Sequence, residues 1–165
     1  MLTTAQQATL KTTIEANATW MALPHNSDGA SVIADELNLV ATPDFTVWRT
    51  SVEEREFTDN VSDDATSWDW SSFISRSAGE HVGWSAMFKS GPINASKAAV
   101  RQGFQDIFSG GTGAGQRNHM EAIAKRKATV LEKLFATGTG TRNNPGTMEV
   151  EGDIGYREIT TIMGW

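Results

Sequence analysis

The chain has 165 residues, contains no cysteine and carries a formal net charge of −6 at pH 7. The missing thiols exclude disulfides, thiolate metal sites and a cysteine nucleophile. Apolar residues make up 39% of the chain, which indicates a thin core that gains stability from neighbouring subunits. No stretch reaches the roughly 20 apolar residues of a membrane span, so we expect no membrane partner.

The first two thirds of the chain show repeated signals of short helices. Thr3 or Thr4, with Gln6 or Gln7 three residues later, forms a capping-box pattern that predicts a first helix to about Ala16. Capping patterns or helical spacing predict further helices around residues 30–40, 51–57, 77–89 and 94–108. The chain is therefore expected to be mainly α-helical, a helical bundle.

Two segments favour extended structure, residues 45–48 and residues 148–151. Phe45 and Val47 alternate with Thr46 and Trp48, and β-branched and aromatic residues are typical of strands. A lone strand in a helical chain would leave its backbone groups unpaired. We therefore predict that the two segments pair as a short two-stranded β element, within one subunit or between neighbours.

Acidic residues concentrate between Arg49 and Asp69, a stretch that contains seven acidic and two basic residues. These charges have two interpretations. They form either a solvated face that keeps the protein soluble or an acidic face that meets a basic face of the next subunit in a ring. The predicted acidic inter-subunit face consists of Glu53, Glu54, Glu56 and Asp59.

Residues 117–135 are predicted to form one long basic helix, because apolar residues recur there at steps of three and four. The positive charges project away from this apolar stripe. In a ring, such helices would line a channel through which DNA passes without sequence recognition, since no base-reading motif is present. The predicted basic helix face consists of Arg117, Lys125, Arg126, Lys127 and Lys133.

After Phe135 a Gly/Thr-rich stretch predicts the end of the helix, because both residue types are poor helix formers. We divide the chain into a helical ring-forming body, residues 1–135, and an extended C-terminal docking arm, residues 136–165. Near its tip the arm again carries regularly spaced apolar residues. These would form an exposed apolar surface that an isolated domain does not need. The predicted anchors on a partner are Tyr156, Ile159, Ile162, Met163 and Trp165.

No catalytic or cofactor-binding pattern emerges from the sequence. The glycine cluster at residues 110–115 resembles a phosphate loop, but Gln116 and Arg117 follow it where that loop needs Lys and Ser or Thr. The three histidines, His25, His81 and His119, share no metal-ligand spacing. We therefore expect no enzymatic activity, no metal and no cofactor.

Several segments carry a resemblance to a family of small structural proteins of tailed bacteriophages. In the C-terminal part they are KRKATVLEKLFATGTGT from Lys125 and NPGTMEVEG from Asn144. Upstream they are PDFTVWRTSV from Pro43, and INASKAAVRQGF from Ile93 followed by IFSG from Ile107. Together these segments cover about half of the chain, in the family's order.

The resemblance implies a head-to-tail adaptor or connector of the virion neck, assembled in the host cytoplasm. It implies a homo-oligomeric ring of about twelve subunits that matches the portal, with portal and tail or neck proteins as partners. The helical body would form the ring and the arm would reach the portal. The alternatives are another virion interaction protein, in tail completion or head decoration, and a protein that binds nucleic acid without sequence specificity.

Overall fold

The computed structural model describes residues 1–165 and is mainly α-helical, as predicted. Its ten helices are α1 (Thr4–Ala16), α2 (Ala18–Met21), α3 (Ser27–Asn38), α4 (Glu54–Asp59), α5 (Trp70–Ile74), α6 (Ala78–Phe88), α7 (Ala98–Ile107), α8 (Ala114–Ile123), α9 (Val130–Phe135) and α10 (Tyr156–Met163). Four short strands accompany them: β1 (Thr46–Trp48), β2 (Lys125–Lys127), β3 (Ala136–Thr137) and β4 (Thr147–Met148). None of the helices has both the length and the apolar character that crossing a bilayer requires.

Capping boxes begin two of the helices where the sequence predicts them. At α1 the Thr3 hydroxyl accepts the N–H of Gln6, and the Gln6 side chain accepts the N–H of Thr3. Ser77 and Glu80 exchange the same pair of hydrogen bonds at the start of α6. These local bonds satisfy backbone donors that the first helical turn leaves free, so both predicted starts are confirmed.

Two compact units divide the chain. Unit 1 consists of Met1–Thr46 and Lys127–Trp165, and unit 2 consists of Val47–Arg126. Along the sequence, unit 2 is therefore inserted between the two halves of unit 1. This division differs from the predicted body, 1–135, and arm, 136–165. Each unit has its own cluster of buried apolar residues, which gives each a core of its own.

The core of unit 1 is aliphatic. Helices α1, α3, α9 and α10 supply most of it, and α10 lies against α3 and α1. Burying a large aliphatic side chain stabilises a protein by about 1.5–3 kcal/mol, so these contacts account for the association of the helices. The most deeply buried members are Leu10, Ile14, Ile33, Leu37, Leu131 and Ile159.

The core of unit 2 is aromatic. The ring of Phe57 meets those of Trp84 and Phe104 edge to face, with centroids 6.2 and 5.9 Å apart. Trp68 is 8% exposed and its ring centroid lies 4.9 Å from that of Trp84. Edge-to-face and tilted contacts are the arrangements that aromatic rings prefer. Trp68 therefore belongs to the core, whereas Trp70 remains 55% exposed.

The prediction of one long helix over residues 117–135 is wrong. Helix α8 ends at Ile123, β2 follows, and α9 begins only at Val130. The break occurs at Thr129, whose backbone is extended and whose hydroxyl accepts the N–H of Glu132. The Glu132 carboxylate in turn accepts the N–H of Thr129. An N-cap residue has non-helical dihedral angles, so one helix cannot run through this position.

The predicted pairing of residues 45–48 with residues 148–151 is also wrong. Strand β1 pairs with β2 instead. Strands β3 and β4 form their own antiparallel pair, with Ala136 opposite Met148 and Thr137 opposite Thr147. The loop at residues 138–146 reverses the chain between β3 and β4, so each finds its partner a few residues away.

This loop is built around the side chain of Phe45. The N–H of Thr46 donates to the Gly140 carbonyl at 2.7 Å, and the N–H of Gly146 donates to the Thr46 carbonyl at 2.8 Å. A Cβ atom added to Gly140 would lie 2.1 Å from Cδ2 of Phe45, and one added to Gly146 would lie 2.6 Å from Cε1. The glycines are therefore needed because the backbone lies directly against the aromatic ring.

Gly140→Ala is expected to lower the free energy of unfolding by about 3 kcal/mol, because it adds a clash with Phe45 to the strain of a left-handed backbone. Gly140 has φ +63°. Gly164 is the matched control, since its φ is +75° and a Cβ atom added there would meet no atom within 4 Å. Gly164→Ala should cost about 1 kcal/mol, the backbone strain alone. Urea denaturation measures both, and equal losses would contradict the packing of the loop on Phe45.

Candidate interaction surfaces

The C-terminal segment, predicted to be an extended docking arm, folds back onto unit 1. Helix α10 packs against α3 and α1, which offer apolar surface to its own apolar face. Ile159 has no exposed surface and Met163 is 9% exposed. The prediction that these two residues anchor a separate partner is therefore corrected: they complete the core of unit 1.

Two polar side chains form hydrogen bonds with the backbone of the segment between β4 and α10. The amide of Asn38, at the end of α3, donates to the Ile154 carbonyl and accepts the Ile154 N–H, each at 2.9 Å. The Glu132 carboxylate, in a residue that is 1% exposed, accepts the N–H of Gly152 at 3.2 Å. These bonds satisfy backbone groups in a segment without regular structure, and they fix where α10 begins.

The three other predicted anchors keep part of their surface exposed, although Ile162 and Trp165 also pack against the core of unit 1. Tyr156, the first residue of α10, is 41% exposed. Ile162 and Trp165 are half-buried. The Trp165 indole stacks on the imidazole of His25, with ring centroids 4.6 Å apart and planes 5° from parallel. Aromatic side chains thus lie at both ends of α10 and offer contact area to a partner.

The five predicted basic residues do not share a helix face. Arg117 lies on α8, Lys125, Arg126 and Lys127 form β2, and Lys133 lies on α9. Four of them contact groups of the same unit. Arg117 donates to the Phe108 and Gly110 carbonyls, Lys125 lies 3.7 Å from Glu121, Lys127 lies 2.8 Å from Asp44, and Lys133 donates to the Pro43 carbonyl at 3.0 Å. The prediction of a basic helix face is therefore wrong, because the five residues are spread over three elements, and four of them bind groups of their own unit.

The four predicted acidic residues lie on or directly before α4. Each has a partner within unit 2. Glu53 pairs with Arg55 at 2.6 Å, Glu54 accepts the indole N–H of Trp84 at 2.6 Å, Glu56 pairs with Arg49 at 2.6 Å, and Asp59 accepts the Thr58 hydroxyl at 2.8 Å. Glu53 and Arg55 form the more exposed of the two ion pairs, so their charges remain accessible to a partner.

Negative charge is concentrated in unit 1. This unit contains ten acidic and five basic residues, a net charge of −5, whereas unit 2 contains ten acidic and nine basic residues, a net charge of −1. Three exposed acids, Glu149, Glu151 and Asp153, alternate along the segment that precedes α10. The surface around α10 therefore favours partners that carry positive charge.

The surroundings of the Glu56 carboxylate lower its pKa. Burial raises its pKa, but the N–H of Glu53 and the guanidinium of Arg49 together lower it more, so the pKa lies below its ordinary value. Arg49 also donates to the Ile123 carbonyl at 3.3 Å. The ion pair thus connects α4 to the end of α8.

His119 is buried in unit 2, with no exposed surface. Its Nε2 lies 2.7 Å from the Phe57 carbonyl, and its Nδ1 lies 3.1 Å from the Thr66 hydroxyl. Because a carbonyl only accepts, the Nε2–H group donates to the Phe57 carbonyl. The histidine therefore bridges two segments, a role that its sequence neighbours do not reveal.

Ile159→Ala is expected to lower the free energy of unfolding by about 2–5 kcal/mol, because it leaves a cavity between α10, α3 and α1. Thr161→Ala, at an exposed position of the same helix, should change it by about 0.5 kcal/mol or less. Thermal and urea denaturation compare the two variants. If Ile159→Ala were as mild as Thr161→Ala, α10 would not be packed on unit 1 in solution.

Acid is expected to weaken unit 2 through Glu56. A carboxylate whose pKa is lowered by folding stabilises the folded state at pH values above its unfolded pKa. This stability is lost as the pH falls through the folded pKa, so the loss begins below about pH 5. Glu56→Gln should cost about 1 kcal/mol or less at pH 7 and should flatten the decline of stability below pH 5. Glu149→Gln, at an exposed position, serves as the control. An unchanged slope in Glu56→Gln would exclude this carboxylate as a source of acid sensitivity.

Two kinds of surface are thus available for partners: the ends of α10 in unit 1 and the exposed aromatic residue of α5 in unit 2. No protein-family model, curated protein or solved structure matches the chain.

Proposed function

We propose that the chain is a virion structural protein, a head-to-tail adaptor that forms a ring beneath the portal and links the capsid to the tail. This role is suggested by the resemblance of five segments to small phage structural proteins: residues 43–52, 93–104, 107–110, 125–141 and 144–152. The structural observation that supports it best is α10, a short amphipathic helix fixed on unit 1 with aromatic side chains at both ends.

The contact with the portal uses the outer surface of α10. Ile159 and Met163 hold the helix on unit 1, so it docks as a folded element and need not detach. Tyr156 and Trp165 supply aromatic area at its two ends, and Ile162, between them in sequence, is half-buried. Tyr and Trp are enriched among the residues that dominate binding energy at protein interfaces.

The electrostatics define the docking partner further. The acids Glu149, Glu151 and Asp153 approach the start of α10, so the matching portal surface carries lysine or arginine side chains. By resemblance to adaptors, the ring has about twelve copies that follow the portal. DNA passes through the lumen without sequence recognition, and the protein resides in the neck of the virion.

The test is to co-express the chain with the portal protein of its phage and to image the purified complex by electron microscopy. A ring stacked on the portal, with α10 at the contact, is the expected result. Tyr156→Ala should weaken the association about tenfold or more, because Tyr156 is an exposed aromatic anchor. Val61→Ala, which shortens an exposed apolar residue of unit 2, is the control.

Two outcomes would contradict the proposal. A chain that ignores the portal would exclude the adaptor role. Copies that follow the capsid lattice would identify a head-decoration protein. If the ring forms on the portal but Tyr156→Ala assembles as well as the wild type, the adaptor role would stand and the docking surface would have to lie elsewhere.

A further inference from the structure

The imidazole of His25 and the indole of Trp165 form a parallel stack in unit 1. Their ring centroids lie 4.6 Å apart and their planes are 5° from parallel. This geometry is typical of offset stacking, which is one of the arrangements that aromatic rings prefer. His25 lies in the turn between α2 and α3, whereas Trp165 follows α10, so the stack connects the end of α10 to a segment that is distant in sequence.

Hydrogen bonds hold both partners of the stack. His25 Nε2 lies 3.3 Å from the Met21 carbonyl, and because a carbonyl only accepts, the Nε2–H group donates. At the end of α10, Gly164 has φ +75°, and the N–H groups of Gly164 and Trp165 donate to the Thr160 carbonyl at 2.8 and 3.1 Å. These bonds fix the backbone at Trp165, so the freedom that remains is rotation of the indole side chain.

The two partners of the stack differ in exposure. His25 is exposed, whereas Trp165 is half-buried and also packs against the core of unit 1. Side chains at exposed positions contribute little to the stability of a fold, so the main effect of the imidazole is on the orientation of the indole. An aromatic side chain that is already ordered before binding loses less conformational freedom in a complex, and the complex is correspondingly tighter.

We infer that His25 is a positioning residue of the docking surface at the end of α10. Its imidazole restricts the rotation of the Trp165 indole and holds it in the orientation that the portal contacts. His25 acts through Trp165 and need not touch the portal itself. The inference rests on the proposed function in one respect, because that function names the portal as the partner.

Nuclear magnetic resonance of the free full chain tests the positioning directly. Trp165→Phe assigns the indole N–H signal of Trp165, and the heteronuclear NOE of that group reports its fast motion. His25→Ala should lower the NOE, because the indole loses the ring beside it. His25→Phe keeps an aromatic face and should retain the NOE of wild type. His81→Ala is the matched control, since His81 contacts the ring of Phe73 in unit 2, with centroids also 4.6 Å apart.

The affinity of the same variants for the portal tests the consequence for docking. His25→Ala should weaken the association about threefold to tenfold, the loss expected when one more side chain has to be ordered on binding. His25→Phe and His81→Ala should bind like wild type. Circular dichroism and thermal unfolding check that each variant is folded. Recovery of binding in His25→Phe would show that the aromatic face, and not the imidazole nitrogens, is what the docking surface requires.

The inference is overturned if the Trp165 indole in His25→Ala has the NOE of wild type, or if folded His25→Ala binds the portal as tightly as wild type. It is also overturned if His25→Phe restores neither quantity. These failures are separable from failure of the adaptor role. Unchanged portal binding in His25→Ala would remove this inference only. A wild-type chain that ignores the portal would remove the adaptor role, whereas a lower NOE in His25→Ala would still identify His25 as the residue that orders Trp165.

Discussion

The buried carboxylate of Glu132 is the interaction on which much of unit 1 depends. A carboxylate with 1% exposure has lost its water and must accept hydrogen bonds from the protein. One oxygen accepts the N–H of Thr129, which stops the preceding segment from continuing as a helix and begins α9. The other accepts the N–H of Gly152 and places the segment that leads into α10. One side chain therefore determines both the break in the basic stretch and the return of the C-terminal helix.

The two units differ in the chemistry of their cores and surfaces. Unit 1 has an aliphatic core, an acidic surface and a terminal helix with aromatic ends. Unit 2 has an aromatic core, nearly balanced charge and an exposed tryptophan. The two units therefore present different surfaces to any partner.

Local signals make part of this fold predictable from the sequence. The capping boxes at Thr3 and Ser77 are decided by residues three positions apart, and both predicted helix starts are present. The same signal exists at Thr129 and Glu132, but the continuous apolar spacing around it favours one long helix. The spacing recurs because both α8 and α9 bury residues, although they bury them in different cores.

Long-range contacts account for what the sequence does not predict. The apolar residues at the end of the chain indicate a surface to bury, but nothing local shows that the segment is a helix covered by the chain's own α3. That answer depends on Asn38 meeting Ile154, 116 residues away. Likewise, the charges of Glu56 and Lys127 are visible in the sequence, yet their partners Arg49 and Asp44 emerge only from the tertiary structure.

The insertion of unit 2 into unit 1 also imposes an order on the synthesis of the molecule. Residues 47–126 are synthesised as one continuous stretch, so every residue of the aromatic core exists before residues 127–165 are made. Unit 1 has to wait, because α1 and α3 are synthesised before unit 2 and α9 and α10 after it. Its early helices leave the ribosome with an apolar groove uncovered, and a nascent chain in this interval is the form most exposed to aggregation and to chaperones.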